Sequence, residues 1–320
     1  MMTKIESIWM EQGDEARRVP IVEGAYKLNL IDPSNPFSLY AGMDSGFHVM
    51  LAIGTSSRPP TVEIKSSALD YFRQQRTDGS WLMVLRLQLA GLEQVFGRLC
   101  QDLVDAAVEV KTEKTLIALF MDRLDLWKRL FQNTRTGLLE KYQIKGLIAE
   151  LLTLDEVLRK RDQALREMVS GWVGPLGSDQ DFQYSNSAIE VKAISPDSED
   201  ISIASLGQLQ AAVPIELRVL VLREVSPTDV GSINLPDSVA RIEGLIAADP
   251  EALEIFRDRL LEVGYVEHEY YESVAVVLQK RTSFLVSEGF PRLTASQVPA
   301  GIVGATYTIS LSSIQRHIIA

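Results

Sequence analysis

The sequence predicts an α/β protein, with a β-rich region ahead of a mixed core and an α+β module behind it. Three observations predict it. Residues 38–89 read as short strands and turns, and residues 141–222 run helix, hairpin, helix and one nearly continuous apolar strand. Residues after 225 mix two helical patterns with three strand-like ones. The segments implied are 1–110 for the N-terminal β-rich region, 111–225 for a helical connection and the core, and 226–320 for the C-terminal α+β module.

Taken in order, residues 38–43 and 47–53 flank the turn formers Asp44-Ser45-Gly46, which signals a hairpin. Residues 80–89 (SWLMVLRLQL) follow Asp78-Gly79 and are rich in apolar strand formers. Leu92, Val95, Phe96, Leu99, Leu103 and Val104 then recur at helical spacing, as do Leu116, Leu119, Phe120, Leu124, Trp127 and Phe131. A break is expected at residues 133–137. Ile144, Leu147, Ile148 and Leu151 form an i, i+3, i+4, i+7 stripe, and residues 154–168 also look helical. Residues 181–184 and 188–194 make a second hairpin around the turn formers Ser185-Asn186-Ser187. Ser205 and Gln208 have capping-box spacing, so a helix is expected to begin there. Residues 215–222 (IELRVLVL) read as a strand buried on both faces. Helices at 236–247 and 250–263 and strands at 273–279, 283–286 and 303–311 complete the chain.

With 46% hydrophobic and 23% charged residues in a chain of 320, a sizeable core can form. No stretch approaches the roughly 20 apolar residues of a membrane helix, and the polar N-terminal segment lacks the apolar run of a signal peptide, so a cytoplasmic protein with no membrane partner is expected. Cys100 is the only cysteine, which excludes an intrachain disulfide and a cysteine zinc cage; it lies on an apolar helix stripe and reads as core. The net charge of −11 argues against a non-specific nucleic-acid coat, although a local cationic groove can sit on an acidic body. His48, His268 and His317 have no ligand spacing and read as structural or surface residues. No phosphate-binding Gly-rich loop is present, so nucleotide hydrolysis would have to come from a partner.

The chemistry concentrates in residues 177–193, GSDQDFQYSNSAIEVKA. Side chains alternate along a strand, so Glu190 and Lys192 share a face while Ile189 and Val191 anchor the other in the core. Asp181 sits across the hairpin and can approach Glu190. Two converging carboxylates make a hard-oxygen site of the kind Mg²⁺ accepts, completed by waters and a substrate phosphate. Phosphodiester hydrolysis uses such a site, with a lysine beside it to orient water and offset developing negative charge.

Asp181 followed by Glu190-Val191-Lys192 resembles the Asp…(Asp/Glu)-x-Lys signature of the PD-(D/E)XK, restriction-endonuclease-like superfamily, which carries it on a β-hairpin. With Gly174-Pro175, Asp181-Phe182 and residues 203–209, the stretch is similar to a PD-(D/E)XK motif family encoded among bacterial restriction and phage-defence genes. Residues 249–265 and 288–299 also resemble that family. The resemblance implies a restriction-endonuclease-like core, a mixed sheet flanked by helices. It implies metal ligands at Asp181, Glu190, Val191 and Glu150 and a catalytic amine at Lys192. Glu150, in GLIAELL at the edge of the apolar stripe, matches a helical glutamate of many members, and Gln208 matches a glutamine that some place on the following helix. Gln208 can equally be the capping partner of Ser205. Gln180 stands where the signature has proline.

The resemblance implies a Mg²⁺-dependent DNA endonuclease (Mn²⁺ substituting) in a restriction or phage-defence system, acting on double-stranded DNA with other subunits of that system. Cutting both strands calls for two sites, which a homodimer would supply. Two alternatives stand beside it: a non-catalytic DNA-binding or interaction subunit that keeps the fold, and an RNase or single-strand nuclease. Val62-Glu63-Ile64-Lys65 repeats the triplet, but no hairpin aspartate or glutamate-bearing helix precedes it, so it reads as an exposed strand. The basic run Arg159-Lys160-Arg161 with Arg166 could line a phosphate groove or form a solvated helix face.

Overall fold

A computed structural model describes residues 3–62, 68–133 and 138–319. It resolves into two compact units, Met1–Leu138 and Leu139–Ala320.

The first unit opens with a helix that strand-and-turn reading passes over: α1 (Lys4–Arg18). Its start is written in Thr3 and Glu6, a capping box in which the Thr3 hydroxyl accepts from Glu6 N (3.1 Å) and the Glu6 carboxylate accepts from Thr3 N. The buried stripe is short (Ile5, Trp9, Ala16), which is why polar composition masks it. Trp9 stacks on Phe96 with ring centroids 5.5 Å apart and donates its indole N–H to Met50 O. Five strands follow: β1 (Tyr26–Leu30), β2 (Leu39–Asp44), β3 (Val49–Thr55), β4 (Leu69–Gln75) and β5 (Trp81–Leu87). They form one antiparallel sheet in the order β1-β2-β3-β5-β4. The expected hairpin at 44–46 is there, tightened by Asp44 Oδ1, which accepts from Gly46 N and His48 N. The edge strand on the far side is β4, and residues 63–65 of the second Glu-x-Lys triplet lie outside the described residues. The helices α2 (Glu93–Ala107) and α3 (Glu113–Asn133) carry the two expected apolar stripes, with Cys100 fully buried. Of the expected break at 133–137, residues 134–137 lie outside the described residues.

The second unit begins with α4 (Lys141–Lys160), whose buried Ile144, Leu147, Ile148 and Leu151 are the predicted stripe. Helix does not run on to 168. Arg161 takes a left-handed backbone (φ 52°), and a separate short helix, α5 (Leu165–Ser170), follows. The second hairpin is β6 (Phe182–Gln183) and β7 (Ala188–Ile194). After β8 (Asp200–Ile203) comes β9 (Ile215–Val225), which lies inside the sheet, parallel to β7 and antiparallel to β11 (Ala275–Val286). Consecutive residues of β9, pointing to opposite faces of the sheet, are buried, which is why the strand is apolar nearly throughout. The short strand β10 (Ile233–Asn234), the helices α6 (Leu235–Ile246) and α7 (Pro250–Glu262), and the strands β12 (Tyr307–Ser310) and β13 (Ile318–Ile319) complete the unit. Strands β10, β11, β9, β7 and β6 lie in that order, β13 pairs with β11, and β12 pairs with β8 in a small second sheet. The result is a mixed α/β fold with several sheets and flanking helices.

Three differences from the sequence reading have physical causes. Segments 273–279 and 283–286 are one strand, interrupted by a register shift between Leu278 and Lys280 that breaks the alternation. Residues after 225 place β10, β11 and β13 in the sheet that holds β7, and the compact division falls at 138/139 rather than at 110 and 225. The helix expected from Ser205 is absent, and residues 204–214 form turns. There the carbonyls of Gly207, Gln208 and Gln210 accept from the Gln180 amide and that of Leu209 from Arg292, so side chains of other segments serve the groups a helix would pair along its own axis.

Candidate active site

The site is assembled from α4, the segment between α5 and β6, the hairpin, and the turn after β8. Ladder partners Phe182↔Ile189 and Gln183↔Ala188, continued by one residue, set Asp181 opposite Glu190. The hairpin proper has ended by then, and the aspartate side chain takes over from backbone pairing: Asp181 Oδ2 accepts from Val191 N at 2.7 Å. Its carbonyl accepts from both Val173 N and Gly174 N, each at 2.9 Å. Asp181 is thereby fixed at main chain and carboxylate alike.

Glu190 and Lys192 share one face of β7, as alternation requires. Ala188 on that face packs into the cluster of Leu217, Val219, Phe284, Ile201, Ile203 and Ile309, which buries the root of the site. Glu190 is 1% exposed, and its Oε1 lies 2.7 Å from Lys192 Nζ. Its Oε2 is buried without a hydrogen-bond partner among the described residues. Lys192 Nζ also donates to Gln208 Oε1 at 3.1 Å, and the same oxygen accepts from Ala204 N at 2.7 Å. Glu150 arrives from α4, its Oε2 accepting from the Trp172 indole N–H at 2.7 Å.

Gly174 leaves the space between these acids. A Cβ there would stand 2.9 Å from Asp181 Oδ1 and 3.4 Å from Glu150 Oε2. The acids feel one another. Burial first, then the Asp181 carboxylate, push Glu190 up to about 8 against the pull of Lys192. Burial raises Asp181 to about 6, opposed by the Val191 N–H and Lys192. Glu150 is held well above the ordinary carboxylate range by burial and then by Asp181.

Of the residues singled out by sequence, Asp181, Glu190, Lys192, Glu150 and Gln208 come together here. Val191 borders them, but its side chain has no donor atom, its N–H serves Asp181, and only its carbonyl oxygen could meet a cation. Gln208 reaches the site from a turn rather than from a helix, and its side-chain oxygen serves Ala204 N and Lys192. Sequence reading missed two residues. Trp172, fully buried against Phe256, carries no local signal of its bond to Glu150. Gln180, where the signature has proline, is 2% exposed and bonded to the turn that bears Gln208. Two of the four basic residues pair with acids: Arg159 with Asp155 (2.6 Å) and Arg166 with Glu251 (2.5 Å). The histidines are structural. His48 Nδ1 lies 3.1 Å from Asp44, His268 Nδ1 accepts from Tyr270 N, and the His317 ring packs on Phe290.

Among the described residues, no group of three or more His, Cys, Asp or Glu side chains is arranged to hold a metal ion by itself. Mg²⁺ does not need one, since it binds through one or two carboxylates and keeps its waters for substrate phosphates. A buried, unpartnered Glu190 oxygen, carboxyls raised above all by burial, and the Gly174 gap fit a hard divalent cation. No helix among the described residues is long and apolar enough to cross a membrane.

Comparison with known proteins agrees with this geometry. No curated protein and no solved structure matches the chain. Residues 5–312 match the family described as "Putative PD-(D/E)XK family member, (DUF4420)". Because that span takes in nearly the whole chain and every residue of the site, the protein belongs to the DUF4420 family, a PD-(D/E)XK nuclease-like family.

Proposed function

We propose that this protein is a Mg²⁺-dependent endonuclease that hydrolyses phosphodiester bonds of double-stranded DNA, within a bacterial restriction or phage-defence system. The observation that carries the reading is the meeting of Asp181, Glu190 and Lys192 at one hairpin, with an acid oxygen left unpartnered. Asp181 and Glu190, with the Val191 carbonyl, would hold the cation, and Glu150 would stand beside them. Bound there, Mg²⁺ polarises the phosphoryl oxygen and lowers the pKa of a water nucleophile.

The remaining work falls to the chain. Lys192, steadied by Glu190 and Gln208, would turn its ammonium to an incoming water and the charged phosphoryl group. It orients the water and offsets charge as the new P–O bond forms and the bond to the leaving sugar oxygen breaks. The leaving oxygen takes a proton from solvent. Trp172 holds Glu150 in one orientation, and the apolar cluster beneath β7 keeps the acids from being fully hydrated.

The test is cleavage of supercoiled plasmid with Mg²⁺, with Mn²⁺ and with EDTA, using single-stranded DNA and RNA as competing substrates. Asp181→Ala and Lys192→Ala are expected to abolish cleavage while leaving the thermal unfolding of the fold cooperative. Equal cutting by wild type, both variants and the EDTA control would refute the assignment.

A further inference from the structure

We propose that Gln180 is a positioning residue for Lys192, acting through the turn at residues 205–210 and the side chain of Gln208. The turn is not held as a helix would be. Instead, side chains from elsewhere take its four successive carbonyls. Gln180 Nε2 donates to the oxygens of Gly207 (2.7 Å), Gln208 (3.3 Å) and Gln210 (3.3 Å), and Arg292 Nη1 donates to Leu209 O (2.5 Å). Gln180 Oε1 accepts from Gln183 Nε2 at 2.9 Å, so the amide has a partner on both sides.

The neighbouring residue acts in the same direction. Ser205 Oγ donates to Asp179 Oδ1 (3.1 Å) and accepts from Gly207 N and Gln208 N. A Cβ on Gly207 would fall 2.2 Å from the Asp179 carboxyl, so any larger residue there would push that carboxyl from its place beside Ser205.

What the clamp positions is one oxygen. Gln208 Oε1, held by Ala204 N at 2.7 Å, accepts from Lys192 Nζ, which also meets Glu190. A lysine head on a four-carbon stem has no fixed direction of its own. With Gln208 displaced, Glu190 alone would draw the ammonium down onto the carboxylate. Gln180 thus couples the strand bearing Asp181 to the orientation of the amine, at the place where the signature has a proline with no side-chain donor.

The kinetic consequence rests on the nuclease reading, so the experiment carries a readout that does not. Gln180→Met keeps the length and burial but cannot donate; Gln180→Leu is a second variant that cannot donate. Either is expected to lower kcat roughly tenfold to a hundredfold, as loss of an outer support typically does, with KM and Mn²⁺ affinity unchanged. Combined with Gln208→Met, the loss should be no greater than in Gln208→Met alone, because both act through one oxygen. In parallel, acetylation of Lys192 by an N-hydroxysuccinimide ester, followed by mass spectrometry, is expected to slow severalfold in each variant, because the ammonium is drawn onto the buried Glu190 carboxylate. Lys145, paired with Glu224, should keep its rate and so report an intact fold. Additive kinetic losses, or Lys192 labelling at the wild-type rate in Gln180→Met or Gln208→Met, would overturn the proposal. Absence of metal-dependent cleavage by the wild type would sink the nuclease reading and leave labelling to decide the positioning.

Discussion

The gap at Gly174 offers the sharpest test of the site, and Gly174→Ala is the perturbation. Its new methyl would stand 2.9 Å from Asp181 Oδ1, about half an ångström inside ordinary van der Waals contact, and 3.2 Å from Asp181 Cα. Asp181 cannot retreat freely, because its carbonyl is held by two N–H groups and its carboxylate by Val191 N. Overpacking of this kind costs about 1–3 kcal/mol, or several degrees in Tm for a unit of this size. The larger effect is expected on cation binding, since the methyl occupies the space both acids face. A cation at a hundred times its Kd stabilises a fold by about 2.7 kcal/mol. A tenfold loss of affinity reduces that to about 1.4 kcal/mol, and a hundredfold loss to about 0.4 kcal/mol. Thermal unfolding of wild type and variant, with and without Mn²⁺, measures both quantities. A variant with wild-type Tm and the full Mn²⁺ shift would refute the reasoning.

Further expectations concern the same acids. Without a cation, stability should fall as pH rises from about 4.5 to about 8: Glu190, raised to about 8 from an ordinary 4.5, holds its proton more tightly in the folded state. The stabilisation is complete below the unfolded value and is lost through the folded one. The loss over that window is a few kcal/mol at most, with Asp181 adding in the same direction at its lower end. Urea denaturation at pH 5 and pH 8 measures it; a wild type as stable at pH 8 as at pH 5, or a Glu190→Gln variant with the same slope, would contradict the argument. Trp172→Phe retains the packing on Phe256 but removes the donor to Glu150, and is expected to weaken Mn²⁺ binding roughly tenfold in calorimetry. Unchanged affinity would assign the indole a packing role alone.

Legibility followed the range of the interactions. Glu150 could be found because the apolar stripe of α4 places it at the stripe's edge, and Glu190 and Lys192 because a strand alternates. The hairpin showed in Ser185-Asn186-Ser187, a local turn preference. α1 was overlooked although Thr3 and Glu6 spell its cap, because only a few apolar residues mark its buried face. The Ser205–Gln208 spacing misled in the opposite sense: Ser205 Oγ does accept from Gln208 N, but side chains from distant segments take the turn's carbonyls. Trp172 and Gln180 lie 22 and 27 residues or more from what they hold, Glu150 and the Gly207 carbonyl, and no pattern in their own neighbourhoods records the bond.

From its residues alone, many of the chain's elements, their apolar faces and the pairing of acid and amine on one strand were determined, since turn preference and side-chain periodicity act within a few residues. Tertiary structure alone decided that β11 lies against β9, that a tryptophan from the segment after α5 orients Glu150, and that a buried glutamine braces the turn behind Lys192. Those outcomes depend on which distant groups remain to satisfy buried polar atoms once the sheet has closed, and that is a property of the packed molecule rather than of any stretch of it.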